Sequence, residues 1–165
     1  MKKYNYKNCQ SLFGYSAEVH IRCKGRCQLC GCGGMPIDFD LWRQMTVEHL
    51  IGKSQGGYLK QIKELVGLSF PSYSESDKNA LSKEIDAINT VTACQFCNST
   101  TSRNVNEVSM YQMFESSSGN RDKLIQGITS ACENILSKKQ LSVKWKLESV
   151  KEAFNEQVAA KISSN

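Results

Sequence analysis

The sequence predicts an α+β protein in which cysteines bring two distant segments together, and three observations predict this class. Two pairs of cysteines share a gap of two residues, Cys27 with Cys30 and Cys94 with Cys97, and a long stretch separates the pairs. One short β-branched segment ends at His49 and another lies directly before the second cysteine pair, which predicts two strands. The last third of the chain repeats apolar residues at helical spacing, which predicts helices there.

The first predicted elements are a short helix, a glycine-rich turn and a strand. Residues 16–24 start with Ser16, a good helix cap, and carry Val19, Ile21 and Cys23 in a short stretch that we interpret as a helix. The glycines of "GRCQLCGCGGMP" end that helix and place the first cysteine pair in a turn. "FDLWRQMTVEHL" is rich in aromatic and β-branched residues, so we expect a strand that ends at Glu48-His49. Gly56 and Gly57 are then expected to form a turn that needs positive φ.

The middle of the chain is predicted to insert helices between two strands. "YLKQIKELVG" places its apolar residues on one helical face, and Gly67 is expected to end this helix. "KNALSKEIDAIN" returns to a helix, so residues 58–88 are expected to contain two helices. "TVTACQFCN" then predicts the second strand and, from about Gln95, a further helix.

The C-terminal third is predicted to be helical, after a hinge at residues 116–121. Its two apolar stripes are Leu124, Ile125, Ile128, Cys132 and Ile135, and then Leu147, Val150, Phe154, Val158 and Ile162. The lysines Lys138, Lys139, Lys144 and Lys146 are expected on an exposed helix face. We therefore divide the chain into an N-terminal segment (1–21), a core (22–115) and a C-terminal helical region (116–165) that packs on the core or on a partner.

Composition restricts the classes of function. The chain has 165 residues, 40% of them hydrophobic and 22% charged, which is typical of one globular domain. No apolar run reaches the roughly 18 residues of a membrane helix, and the N-terminus lacks a secretory signal, so we expect a cytoplasmic protein without membrane contact. The net charge of +5 is a mild basic excess. It suits a polyanionic partner and equally an ordinary solvated surface.

The cysteines predict a metal site, because the chain has eight of them and a reducing compartment disfavours disulfides. A two-residue gap lets two thiolates reach one zinc ion at about 2.3 Å. The four predicted ligands are Cys27, Cys30, Cys94 and Cys97. Four sulfur ligands leave no open coordination position, so this zinc would be structural. Two alternatives stay open: reduced cysteines buried without metal, or a ligand replaced by Cys23 or Cys32.

Three segments, in order along the chain, resemble the HNH endonucleases of the ββα-metal fold. These segments are "GRCQLCG", "TVEHLIGKSQGG" and "NTVTACQFCN". They match the family's first cysteine pair, its acidic residue and histidine at a strand end, its paired glycines, and an asparagine five residues before the second cysteine pair. The resemblance covers about residues 22–104. It implies a zinc-stapled ββα-metal core that is enlarged by the insertion at residues 58–88.

The resemblance also implies a role for each site residue. His49 would be the general base that takes a proton from water, and Asn89 would position it. Glu48, where the family more often has aspartate, and Asn98, where many members have histidine, would bind one catalytic Mg²⁺ or Mn²⁺ through oxygen atoms. Side chains alternate along a strand, so we expect Glu48 and His49 on either side of a phosphate and not on one ion.

The implied activity is metal-dependent hydrolysis of DNA phosphodiester bonds that leaves 5′-phosphate and 3′-hydroxyl ends. Lys53 and Arg103 are weaker candidates for contacts with DNA phosphates. Such a nuclease would suit restriction, phage defence or a mobile element, as a homodimer or with a partner on its C-terminal helices. The alternative hypothesis is a non-catalytic zinc-containing module that binds nucleic acid or protein. The second histidine, His20, is expected on a helix surface.

Overall fold

The fold is known from a computed structural model that describes residues 17–101 and 108–163. Arg103, a predicted phosphate contact, lies outside the described residues. The described part is rich in helix and contains a two-stranded sheet, which confirms the mixed helix and strand composition predicted from the sequence. No helix in these ranges combines the length and apolar character that a membrane crossing requires.

The elements include the predicted helices and strands in the predicted order, together with two helices that were not predicted, at residues 39–42 and 110–117. In chain order, the elements are α1 (17–22), α2 (Phe39–Trp42), β1 (Met45–His49), a 3₁₀ turn (Lys53–Gln55), α3 (Leu59–Ser69), α4 (Glu75–Asn89), β2 (Thr90–Cys94), α5 (Gln95–Thr100), α6 (Met110–Ser117), α7 (Arg121–Phe154), a π-helical turn (Asn155–Ala159) and α8 (Ala160–Ile162). Two boundaries differ from the prediction. The carboxylate of Asp38 accepts a hydrogen bond from the Leu41 amide and starts α2, so the strand is shorter than expected. Helix α3 continues through Gly67 instead of ending there.

The sheet brings the two predicted site segments together. Strands β1 and β2 are antiparallel, with His49 opposite Thr90 and Met45 opposite Cys94. Helix α4 ends at Asn89 and β2 begins at the next residue. The helical pair α3–α4 therefore leaves the sheet after His49 and returns at Asn89, directly beside it.

The main hydrophobic core lies where the helical pair packs on α6 and α7. Its buried residues are Leu50, Ile51, Ile62, Val66, Phe70, Leu81, Ile85, Met110, Phe114, Leu124, Ile128, Cys132 and Ile135. The first apolar stripe predicted in the C-terminal region therefore packs on the core. Of the second stripe, Leu147 packs against the smaller core around the cysteines. The other members do not pack on a core, since Val150, Phe154, Val158 and Ile162 are between 42% and 71% exposed.

A second, smaller core surrounds the cysteines. Its buried members are Cys27, Leu29, Met45, Ala93, Cys97 and Val143. The turn that carries the first cysteine pair, both strands, α5 and α7 therefore all contribute. Helix α1 docks beside it, because Arg22 donates to the carbonyl and hydroxyl oxygens of Thr90. The prediction for His20 was wrong. This ring is 6% exposed and its Nδ1 lies 2.9 Å from the Thr92 hydroxyl, since α1 packs across β2.

Candidate functional site

A cleft of about 790 Å³ opens beside the end of β1. Its walls come from β1, the loop that follows, α3, α5, α6 and α7. The lining residues are Val47, Glu48, His49, Leu50, Gly52, Lys53, Ser54, Gln55, Tyr58, Gln61, Asn98, Tyr111 and Lys139. The cleft thus brings together Glu48, His49 and Asn98, which the sequence analysis had singled out from two separate segments. Lys53, the predicted phosphate contact, is exposed at its edge.

His49 stacks on Tyr58, with the ring centroids 4.2 Å apart and the planes 7° from parallel. Burial lowers the pKa of His49 to about 4. The imidazole is therefore neutral at neutral pH and its lone pair can accept a proton. It is also a weaker base than a solvated histidine, whose pKa of about 6.5 the sequence alone would suggest.

Asn89 holds the loop that follows His49. Its Oδ1 accepts a 2.7 Å hydrogen bond from the Ile51 amide, and its Nδ2 donates to the carbonyl oxygens of Ile51 and Gly57. The Asn89 carbonyl also accepts from the amide of Leu50. Asn89 is fully buried, so its amide oxygen and nitrogen are satisfied by this loop rather than by water. Asn89 therefore acts on His49 by fixing the backbone beside it.

The paired glycines have different roles in that loop. Gly56 ends the 3₁₀ turn with a φ of 78°, a left-handed conformation that favours glycine. Gly57 has no positive φ, and glycine is needed at this position because there is no space for a side chain. A β-carbon there would lie 1.8 Å from the Ile51 carbonyl oxygen and 3.0 Å from Asn89 Nδ2. The expectation of a positive φ was therefore right for Gly56 and wrong for Gly57.

Asn98 reaches the cleft from α5, the helix that follows β2. Its Nδ2 donates to the Thr46 hydroxyl at 2.8 Å and, at 3.5 Å, to the carbonyl oxygen of Val47. With the amide nitrogen engaged on β1, the amide oxygen is the atom that suits a hard cation. Glu48 supplies the carboxylate among the cleft-lining residues. Carboxylate and amide oxygens are the kind of donor that hard divalent cations such as Mg²⁺ and Mn²⁺ prefer.

The carboxylate of Glu48 is paired with a residue that the sequence analysis had assigned to an exposed helix face. Lys139 of α7 donates to Glu48 Oε1 at 2.6 Å, and the two side chains are only 4% and 12% exposed. The prediction of an exposed Lys139 was wrong. A signal for its burial exists in the sequence, because Lys139 lies four residues after Ile135 and four before Val143, both on the buried face of α7.

The cysteines form a compact cluster beneath the sheet. The sulfur atoms of Cys27, Cys30, Cys32 and Cys94 all lie within 4.8 Å of one another. The sulfurs of Cys30 and Cys94 are 3.9 Å apart, close to the roughly 3.8 Å that tetrahedral coordination at 2.3 Å requires. The cluster therefore has the donors and the spacing to hold a metal ion such as zinc.

The pKa values of the thiols shift in different directions. Burial raises the pKa of Cys30 and of Cys32. Burial alone would raise the pKa of Cys27, but backbone hydrogen bonds from Cys94, Cys30 and Leu29 outweigh it and lower the pKa. Cys97, a predicted ligand, is fully buried beside the cluster. Its pKa is raised by burial and by hydrogen bonds with the thiols of Cys94 and Cys30. Five cysteines therefore lie together, and the compact group of four contains Cys32 instead of Cys97.

Comparison of the chain with known protein families, with curated proteins and with solved structures found no match.

Proposed function

We propose that this protein is a metal-dependent endonuclease of the HNH type, with a zinc-stapled ββα-metal core that hydrolyses DNA phosphodiester bonds. One observation carries the proposal: a single cleft contains a neutral imidazole, a carboxylate and a side-chain amide, His49, Glu48 and Asn98. Asn89 fixes the loop beneath them. The cleft has the mixed donor chemistry that phosphodiester hydrolysis needs.

Each residue then has a defined task. His49 accepts the proton of the attacking water, and its stacking on Tyr58 limits the ring to one plane. Asn89 keeps the backbone beside His49 from shifting. Glu48 and Asn98 would hold one Mg²⁺ or Mn²⁺, which supplies charge neutralisation at the scissile phosphate and the leaving oxygen. Lys53, exposed at the edge of the cleft, contacts a neighbouring phosphate. The products carry 5′-phosphate and 3′-hydroxyl ends.

Plasmid nicking tests the proposal. The zinc-loaded parent protein should convert supercoiled DNA to the open circle in Mg²⁺ or Mn²⁺. His49→Ala should lose at least about 100-fold in rate, because a positioned general base contributes on that order. Ser54→Ala, an exposed residue of the same cleft, should nick like the parent. Equal rates for His49→Ala and the parent, or no cleavage by the parent under any metal, would contradict the proposal.

A second candidate is a non-catalytic zinc-containing module that binds nucleic acid or protein. The ion pair between Glu48 and Lys139 favours it, because a carboxylate already paired with an ammonium group is less available to a metal. Salt-sensitive DNA binding without cleavage, unchanged in His49→Ala, would support this candidate.

A further inference from the structure

The buried face of α7 contains a charged residue among apolar ones. Its buried positions are Leu124, Ile128, Cys132, Ile135, Lys139 and Val143, spaced by three or four residues throughout. An apolar side chain at position 139 would continue the stripe. Lys139 instead extends into the cleft and pairs with Glu48. A buried lysine is costly unless its charge is compensated, so this pair fixes the ammonium group at the carboxylate.

We propose that Lys139 is an internal counter-ion that competes with the divalent cation for Glu48. This inference rests on the proposed function, because it concerns the loading of the same site. Glu48 is the carboxylate among the lining residues, so both cations need the same group. The ammonium nitrogen lies 2.6 Å from Glu48 Oε1, and a divalent ion at this carboxylate would lie close to that positive charge. Like charges at such a distance repel each other strongly in a partly buried site.

The geometry allows the ammonium group of Lys139 to move away from Glu48. Its ammonium is carried on a flexible four-carbon chain with rotatable donors, and the adjoining cleft of about 790 Å³ has room for it to move. Metal loading therefore includes the cost of displacing Lys139 from Glu48. Without DNA the protein therefore binds a divalent ion weakly, and the pairing of Lys139 with Glu48 determines how weak this binding is.

Manganese binding in the absence of DNA tests this inference. Free Mn²⁺ is measured by electron paramagnetic resonance during titration of the zinc-loaded protein at pH 8. Lys139→Met should bind Mn²⁺ about tenfold more tightly than the parent, because it removes the competing charge. Lys139→Gln removes the charge but can still donate a hydrogen bond to Glu48, and it should show the same gain in affinity. It replaces the methionine variant as the test if that variant folds poorly.

Three control variants identify the cause. Lys139→Arg keeps the charge and should bind like the parent. Lys151→Met removes one charge from an exposed position of the same helix and should also bind like the parent. Glu48→Gln should lose the Mn²⁺ site, which assigns the signal to this cleft. Unchanged or weaker binding by both neutral Lys139 variants, or an equal gain in Lys151→Met, would overturn the inference. Because no DNA is present, a parent protein without nuclease activity would refute the proposed function and leave this result intact.

Discussion

At the scale of single residues, the chemistry depends on how a folded environment changes an ordinary side chain. His49 is the example, since burial lowers its pKa to about 4. A neutral imidazole is available as a proton acceptor across the physiological pH range. In the proposed mechanism, the same burial would make proton transfer to His49 less favourable than to a solvated ring, so the positioning of the water would have to supply more of the rate.

We predict that His49 titrates near pH 4 in the metal-free protein, well below the value of about 6.5 for an exposed histidine. The folded protein then binds fewer protons than the unfolded chain between these values. The contribution of His49 to the free energy of unfolding is therefore fully present above pH 6.5 and is lost as pH falls toward 4.

Proton–carbon NMR of the imidazole groups measures this titration. The chain has two histidines, and the pKa of His20 is also lowered by burial. The spectrum of His49→Gln assigns the two signals. A His49 midpoint near pH 6.5 in the folded protein would show that the ring is solvated and that the stacking on Tyr58 does not persist in solution.

At the scale of elements, the loop between β1 and α3 determines the position of the site. It begins after His49 and is held by the buried amide of Asn89. Within the loop, the backbones of Ile51 and Gly57 lie very close together. The Ile51 carbonyl oxygen occupies the space that any side chain at position 57 would need. The loop is thus fixed by hydrogen bonds and by close packing at the same point.

We predict that Gly57→Ala lowers the free energy of unfolding by about 3 kcal/mol, the upper end for overpacking, because the Ile51 backbone must move. Gly67→Ala is the matched control. Position 67 lies inside α3 with open space around a β-carbon, so alanine there should raise stability by about 0.5–1 kcal/mol.

Urea unfolding followed by circular dichroism compares the two glycine variants with the parent. Opposite signs are expected for the same chemical change. If Gly57→Ala were as stable as the parent, the close approach of residue 57 to the Ile51 carbonyl would be wrong.

At the scale of the whole molecule, helix α7 and the cysteine cluster connect the segments that surround the cleft. Helix α7 packs on the main core through Ile128, contributes Lys139 to the cleft and reaches the cysteine core at Val143. The cysteine cluster joins the turn that carries Cys27, Cys30 and Cys32 to Cys94 at the end of β2. A metal ion there would contribute directly to folding, because the unfolded chain does not preform the site.

We predict that the purified protein contains one zinc ion and that a strong chelator lowers its melting temperature. Cys27→Ser should lose the zinc, because Cys27 belongs both to the set predicted from spacing and to the compact group. Cys32→Ser should also lose it, and Cys97→Ser should retain it, because Cys32 and not Cys97 lies within the group of mutually close sulfurs.

Metal analysis by mass spectrometry checks the zinc content of each variant. Cys132→Ser is the control, because Cys132 is buried in the main core and not in the cluster. Zinc lost from Cys97→Ser and retained by Cys32→Ser would favour the ligand set predicted from the two-residue gaps. Full zinc content in both variants would indicate that the fifth thiol replaces a missing ligand.

The sequence by itself determined the two strands, most of the helices, and three of the residues that meet at the cleft, Glu48, His49 and Asn98. Periodicity gave the helices on either side of residues 70–74, and β-branched runs before His49 and Cys94 gave the two strands. These signals are local, because side-chain spacing within one element already shows which face is buried. The equal spacing of the two cysteine pairs likewise indicated that distant segments meet.

Only the tertiary structure decided which charges and thiols face one another. Lys139 and His20 were expected on exposed helix faces, and both are buried because of what lies opposite them, Glu48 and Thr92. Cys32 belongs to the compact group, and the turn that carries it is closed by a hydrogen bond from the Cys27 amide to the Cys32 carbonyl. Glu48 and Lys139 are 91 positions apart, and burial of a charge depends on its partner in space. No spacing within one segment contains that information.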